Sequence, residues 1–179
     1  RFCAEKSAAA LAAGNTVVIK ASEQAPLSSL RFAEICHEVL PPGVVNVLTG
    51  DAACGQAMVR HPDVRRVGVV GSVSTGKAIA KDASEDLTYV TLELGGVNPI
   101  IIFPDVDLKE AASFAIKGVN MNRQGQSCSS TSRVFVHRNI HNEVVEELKN
   151  LVKKLPVGLP WIERNEVGPV VSQRQYDKI

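Results

Sequence analysis

The sequence predicts an α/β fold: a doubly wound, largely parallel sheet followed by the start of a second α/β domain. Three observations predict it. Short runs rich in β-branched residues alternate with helical patterns along nearly the whole chain. Several of these runs end in Gly, Ser or Thr turns that open directly into a helix. The pair Gly95-Gly96 then breaks the fourth run, and a new run starts behind it. No stretch has linker composition, so this pair is the expected joint, dividing the chain into residues 1–95 and 96–179.

Taken in order, Arg1 to Gly14 holds an Ala-rich run that passes straight into Thr16–Ile19, the first strand. The run is small rather than strongly apolar, so it reads as a helix within a fold and not as a targeting segment. Leu27, Leu30, Ala33, Cys36 and Leu40 mark one face of a helix, closed by Pro41-Pro42-Gly43. Val44–Leu48 is the second strand, Gly55–Arg60 a short helix and Val64–Val70 the third strand. Gly71-Ser72 turns it into a helix over about Thr75–Ser84. Leu87–Leu94 is the fourth strand and Pro99–Phe103 the fifth, followed by a helix from Asp107 to about Val119. After a polar loop come the strand Arg133–His137 and a periodic helix over Asn142–Leu155, with Lys149, Lys153 and Lys154 at its carboxyl end. Residues 156–169 read as loop, and a last helix begins behind them.

Composition narrows the partners. With 179 residues, 45% hydrophobic and 22% charged, the chain is ordinary for a globular protein, and a net charge of +1 gives nucleic acid no electrostatic reason to bind. No stretch reaches the length of a membrane-spanning helix. The four cysteines Cys3, Cys36, Cys54 and Cys128 form no CxxC pair, which fits a reducing, cytoplasmic compartment. His37, His61, His137 and His141 are scattered, so no metal site is expected. The chain starts on Arg and stops within a helical pattern, as an internal piece of a longer protein would.

Cys128 is the chemical centre. Most unpaired cysteines are small core residues among apolar neighbours. This one sits in Gln124-Gly125-Gln126-Ser127-Cys128-Ser129-Ser130, with a cation at Arg133, and Gly125 permits a close approach of backbone to ligand. A thiolate near backbone N–H groups or a cation is a strong nucleophile. The alternative is a structural cysteine in a turn. Glu93 is a carboxylate in the strand-like run Leu92–Leu94. Buried carboxylates often serve as general bases, yet Thr91, Glu93 and Gly95 could equally face solvent together.

Two further features concern anions. Gly71-Ser72-Val73-Ser74-Thr75-Gly76-Lys77 follows a strand and opens a helix, as a phosphate loop does, but Ala78 stands where such a loop needs a Mg²⁺-binding hydroxyl. What survives is a Gly-Ser turn at a helix N-terminus, able to face an anion or serving only to turn the chain. Lys20 and Glu23 lie where the first strand ends, the edge at which open parallel sheets bind ligands. No GxGxxG dinucleotide fingerprint follows any strand.

With these pieces assembled, the sequence resembles the aldehyde dehydrogenase superfamily. The resemblance is carried by residues 10–23, by Pro41–Gly50, by Gly71-Ser72-x-x-x-Gly76, by Leu92-Glu93-Leu94-Gly95-Gly96, by Gly125-Gln126-Ser127-Cys128 and by Gly168-Pro169. It runs from end to end and implies a partial Rossmann-like cofactor-binding domain joined to a partial catalytic domain. It further implies that Cys128 attacks an aldehyde carbon, that hydride passes to NAD (NADP being possible), and that Glu93 activates water against the resulting thioester. Lys20 and Glu23 would hold the adenine ribose. Gly71, Ser72 and Leu94 would lie along the cofactor. A carboxylate at Glu23 repels a 2′-phosphate, which favours NAD. Retention of Glu93 favours the hydrolytic branch over the coenzyme A-acylating one, and the intact parent is expected to be a homo-oligomer.

Some positions depart from the family pattern. Val69-Val70 replace Phe-Thr, Ala21 replaces Pro, and Gln124 replaces Asn. The family's second oxyanion donor, an Asn, would precede Arg1, and the Glu that grips the nicotinamide ribose would follow Ile179. The expected piece is therefore incomplete as a catalyst. Two other readings stand beside it: an inert binding or scaffold fragment of the same fold, and a phosphate-loop nucleotide hydrolase.

Overall fold

A computed structural model describes residues 2–179. The chain divides into two compact units, Arg1–Leu94 and Gly95–Ile179. Three helix-linked pairs of parallel strands make up most of the two units. In the first unit, α1 (Phe2–Ala12) leads into β1 (Val17–Lys20), α2 (Leu27–Val39) and β2 (Val45–Leu48). Next come α3 (Ala52–Val59), β3 (Arg66–Gly71), α4 (Val73–Ala83) and β4 (Tyr89–Leu94). The second unit holds β5 (Pro99–Ile102), α5 (Leu108–Val119), β6 (Arg133–Val136), α6 (His141–Val152) and α7 (Gln173–Lys178).

Each strand pairs in parallel with the one that follows its helix: β1 with β2, β3 with β4 and β5 with β6. Parallel strands need such a crossover, and a helix supplies it. The expected α/β class is therefore present. Its parallel pairing is present as well, in short pieces: among the described residues the six strands form three two-stranded sheets. A sheet of two strands leaves a hydrogen-bonding edge open on either side, and apolar residues of these strands remain uncovered, Val18, Leu48, Val70 and Ile101 among them.

Small side chains set the packing. In the first unit Ala21, Ala33, Cys36, Val45, Val59 and Ala83 are buried. The face expected on α2 is narrower than its periodicity suggests, because Leu27, in its first turn, is exposed and only Ala33 and Cys36 are fully covered. In the second unit Ala112 and Ala115, three apart on α5, are fully buried. Ile102, Ile140 and Val144 form a core cluster there, with Ile100, Val134, Val136 and Leu148 packed around it.

Capping explains where several helices start. Asp51 accepts from Ala53 N–H at 2.9 Å, so α3 begins three residues before the expected Gly55. Ser72 accepts from Thr75 N–H at 3.2 Å and starts α4 at Val73 rather than Thr75. Asp107 caps α5 in the same way through Glu110 N–H. In the first residues of the chain, Phe2–Ala12 is an ordinary helix of the first unit. No described helix is long and apolar enough to cross a membrane.

α3 and α4 are joined by an ion pair. Arg60 donates to Asp82 at 2.7 Å, and Gln56 donates to its other oxygen at 3.2 Å. Hydrogen bonding from Arg60, then from Gln56, holds the Asp82 carboxyl below its ordinary range. A carboxylate depressed in the folded state contributes stability above its unfolded pKa and loses that contribution as pH falls through the folded value. Thermal melts of the full-length protein should therefore show Asp82→Asn less stable than wild type at neutral pH. The gap should narrow as pH falls below the ordinary Asp value of about 3.9, through the lower pKa of the folded state.

Candidate active site

The cysteine loop is built by backbone conformations that few sequences tolerate. α5 ends on Asn120, which adopts a left-handed conformation (φ 58°) and so turns the chain out of the helix. A single 3-10 turn, Met121–Arg123, follows. Gln124 (φ 54°) and Gly125 (φ 69°) then take two left-handed steps in succession. That sequence of turns brings residues 126–132 back beneath the end of α5, where Thr131 N–H donates to Gly118 O at 2.8 Å. Ser130 is buried at 4% exposure, and its hydroxyl donates to Val119 O at 2.9 Å. Its side chain is thus an anchor, pulling the loop onto the helix terminus.

Cys128 projects from this loop as the one exposed cysteine; Cys36 is buried, and Cys3 and Cys54 are partly covered. Its flanking residues are held by short bonds. Ser130 N–H donates to Ser127 O at 3.1 Å, and the hydroxyls of Ser127 and Ser129 lie 2.9 Å apart. The Asn98 side-chain amide donates to Cys128 O at 2.6 Å and to Ser130 O at 3.0 Å. Among the described residues, the backbone N–H of Cys128 has no hydrogen-bond partner. An exposed thiol beside an unengaged N–H is the arrangement that nucleophilic attack on a carbonyl requires, since the N–H can receive the oxyanion that forms.

A second segment of the same unit braces the loop. Val171 N–H donates to Gln126 Oε1 at 3.1 Å, and Gly168 N–H lies 3.1 Å from the Gln124 side-chain amide. Between them lies an open depression of about 500 Å³, lined by Arg123, Gln124, Gln126 and Pro169 among others; Cys128 is not in its wall. Arg133, the cation expected to act on the thiol, starts β6 with an exposed side chain, and its N–H donates to Asn98 O at 3.3 Å.

In the first unit, the other sequence-predicted residues fall at the carboxyl ends of parallel strands. Lys20 ends β1, Gly71 ends β3, and Glu93 and Leu94 end β4, with Gly71 and Leu94 paired in register. Lys20 Nζ donates to Glu23 Oε1 at 2.8 Å, and this bond holds the Glu23 carboxyl below its usual range. Ser72 Oγ lies 2.9 Å from the hydroxyls of both Ser74 and Thr75 at the start of α4. Gly76, one turn in, is buried against β4: a Cβ there would stand 2.7 Å from the Leu94 side chain. The Leu94 side chain thus fills the space that a side chain at residue 76 would need, and a larger residue there requires Leu94 to move.

Of the two readings open for Glu93, buried or facing solvent, the structure has it exposed. Leu92 and Glu93 are both exposed, so β4 does not alternate along its length. β4 hydrogen-bonds to β3 alone among the described strands. Asn98, Asn120 and Ser130 were not picked out from the sequence. Asn before Pro99 and Asn at the end of a helix pattern are both turn signals that could have pointed to the first two. A serine among four other hydroxyl residues carries no such signal.

The sequence model of the aldehyde dehydrogenase family matches residues 1–179, the whole chain. The chain belongs to the aldehyde dehydrogenase family. It is 45% identical over 179 residues to the aldehyde dehydrogenase tropH of Talaromyces stipitatus, a match over 99% of this chain and 35% of that protein. It is 46% identical over 175 residues to a betaine aldehyde dehydrogenase of Sinorhizobium fredii, covering 97% of this chain and 36% of that one. An aldehyde dehydrogenase from Pseudomonas syringae, solved with NAD+ and octanal, superposes with a TM-score of 0.92 at 38% identity, over 96% of this chain and 36% of that one. An NADP-dependent enzyme from E. coli gives 0.93 at 34% identity, over 97% and 36% respectively. The chain thus spans about a third of the length of the aldehyde dehydrogenases it matches. Its α/β units are those of that family's fold.

Proposed function

We propose that the full-length enzyme oxidises an aldehyde to a carboxylic acid with NAD(P), and that this segment supplies both its nucleophile and its general base. The observation that carries the reading is the exposed Cys128 thiol beside its own unengaged N–H, on a loop pinned at both ends. In this role the Cys128 sulfur attacks as its thiolate and forms a bond to the aldehyde carbon, and the carbonyl π electrons move to oxygen, giving an oxyanion to which the Cys128 N–H donates a hydrogen bond. A bound nicotinamide supplies the hydride acceptor, so that collapse of the adduct leaves a thioester on Cys128 with its carbonyl restored. Glu93 then takes a proton from water as the water oxygen adds to that carbonyl. The C–S bond breaks, the thiolate leaves with its electron pair, and the acid departs.

The residues at the strand ends suit a dinucleotide. Ligands of open parallel sheets bind outside the carboxyl ends of the strands, and an anion is favoured at a helix N-terminus. Lys20 and Glu23 offer a donor and an acceptor for ribose hydroxyls, and Ser72 and Gly71 a hydroxyl and an uncluttered turn for pyrophosphate. Leu94 packs against α4 at Gly76, one turn behind the Ser72 cap. The depressed Glu23 carboxyl stays ionised at neutral pH and opposes a 2′-phosphate, which favours NAD over NADP. In this reading residues 1–95 are the cofactor part and 96–179 the catalytic part. Four unpaired cysteines support a reducing compartment such as the cytoplasm.

The experiment is selective alkylation of the full-length enzyme. Iodoacetamide should label Cys128 ahead of Cys3, Cys36 and Cys54, and an aldehyde with NAD should slow that labelling, NADP doing so only at higher concentration. Equal labelling of all four thiols, unaffected by aldehyde, would refute the assignment of Cys128.

A further inference from the structure

We propose that Asn98 is a positioning residue, whose amide sets the direction in which Cys128 presents its thiol and its N–H to the substrate carbonyl. This rests on the reading of Cys128 as the nucleophile. The argument is one of peptide planes. A trans peptide is planar, with its N–H and C=O on opposite edges, and no cis bond occurs among the described residues. Upstream of the Cys128 Cα, the plane is fixed because Ser127 O accepts from Ser130 N–H at 3.1 Å. The Cys128 N–H, on the far edge of that plane, is thereby turned away from the loop. Downstream, the plane is fixed because Cys128 O accepts from the Asn98 amide at 2.6 Å.

With both planes held, the two dihedral angles at Cys128 are set, and with them the direction of its Cα–Cβ bond. The other edge of this plane is held more loosely, Ser129 N–H donating to Ser127 Oγ at 3.3 Å, and among the described residues the Asn98 amide is the one hydrogen bond at its carbonyl. Asn98 is itself held firmly. The same amide donates to Ser130 O at 3.0 Å, and its own carbonyl accepts from Arg133 N–H at 3.3 Å, where β6 begins. Asn98 immediately precedes β5, which pairs with β6 from Pro99 and Arg133 onward. The nucleophile loop is therefore referenced to a strand pair through one side chain. Ser130 contributes the complementary tie, to the end of α5.

Loss of this amide leaves the downstream plane held only by the 3.3 Å bond at its N–H edge, so that it can tilt and carry the thiol and the N–H out of register with each other. Attack on a carbonyl needs both at once, whereas alkylation of sulfur by iodoacetamide forms no oxyanion and needs only the thiol. The test compares the two in the full-length enzyme. Asn98→Ala should slow single-turnover NADH formation by at least about 10-fold, a fraction of the roughly 10²- to 10³-fold that outright loss of an oxyanion donor costs. Cys128 alkylation and NAD affinity should each stay within about threefold, since neither draws on that donor. Asn98→Ser, whose hydroxyl can reach only one of the two carbonyls, should fall between Ala and wild type. Should the alanine variant not fold, the serine variant is judged by the same ratio of hydride formation to alkylation.

Two results overturn the proposal. One is unchanged single-turnover NADH formation in a folded Asn98 variant. The other is a parallel decline of NADH formation, alkylation, NAD affinity and melting temperature, which would make Asn98 structural only. The underlying reading fails separately: if Cys128→Ser still oxidises aldehyde, Cys128 is not the nucleophile, whatever Asn98 does.

Discussion

Cys128→Ser in the full-length enzyme is expected to abolish aldehyde oxidation while leaving NAD binding intact. A serine hydroxyl is close in size to the thiol, so the loop tied down by Ser130 and Asn98 should keep its shape. What changes is the nucleophile. A thiol is partly ionised near neutral pH and its sulfur is soft and highly nucleophilic, whereas a hydroxyl needs an adjacent base to act. Removal of an enzyme nucleophile costs on the order of 10⁴- to 10⁶-fold in turnover. Loss on that scale, with cofactor affinity by calorimetry unchanged, is the expected pair of results. Residual oxidation within about tenfold of wild type would be incompatible with covalent catalysis at this residue.

Glu93→Gln separates the two halves of the cycle. Glutamine keeps the size of the side chain and removes the proton acceptor, so thiol attack and hydride transfer should continue and thioester hydrolysis should stall. General-base contributions run to about 10²- to 10⁴-fold, which sets the expected drop in steady-state turnover. Stopped-flow absorbance should still show the first equivalent of NADH forming at close to the wild-type rate. The opposite pattern, a lost first turnover with normal steady state, would remove Glu93 from the hydrolytic step. The exposure of Glu93 on β4 bears on this role, because a base that activates water must be reachable by water.

Much of this was legible in the sequence, and the reasons differ from element to element. The strand-helix alternation was strong enough to place every described strand and α-helix of the two units to within a few residues, though not the 3-10 turns Met121–Arg123 and Arg138–Ile140. The exceptions came from side-chain caps. Asp51 and Ser72 each start a helix two or three residues before its apolar pattern becomes visible, because a cap acts through one hydrogen bond and leaves no periodicity. The open strand pairs were not legible, since a run such as Val17–Lys20 reads the same with a neighbour on one edge or on both. At the candidate site, Cys128 stood out by its polar surroundings. Asn98 did not, because it lies 30 residues away in sequence and its role consists of a single amide meeting two carbonyls.

The contact between Gly76 and Leu94 has a consequence for redesign of this region. Because the isobutyl group of Leu94 occupies the space a methyl at residue 76 would need, the two positions share one volume. A variant that enlarges the first therefore calls for a smaller or re-oriented side chain at the second, or else for a shift of α4, with its cluster of hydroxyls, away from β4. Substitutions along this helix are thus bound to the bulk of a leucine on the adjoining strand.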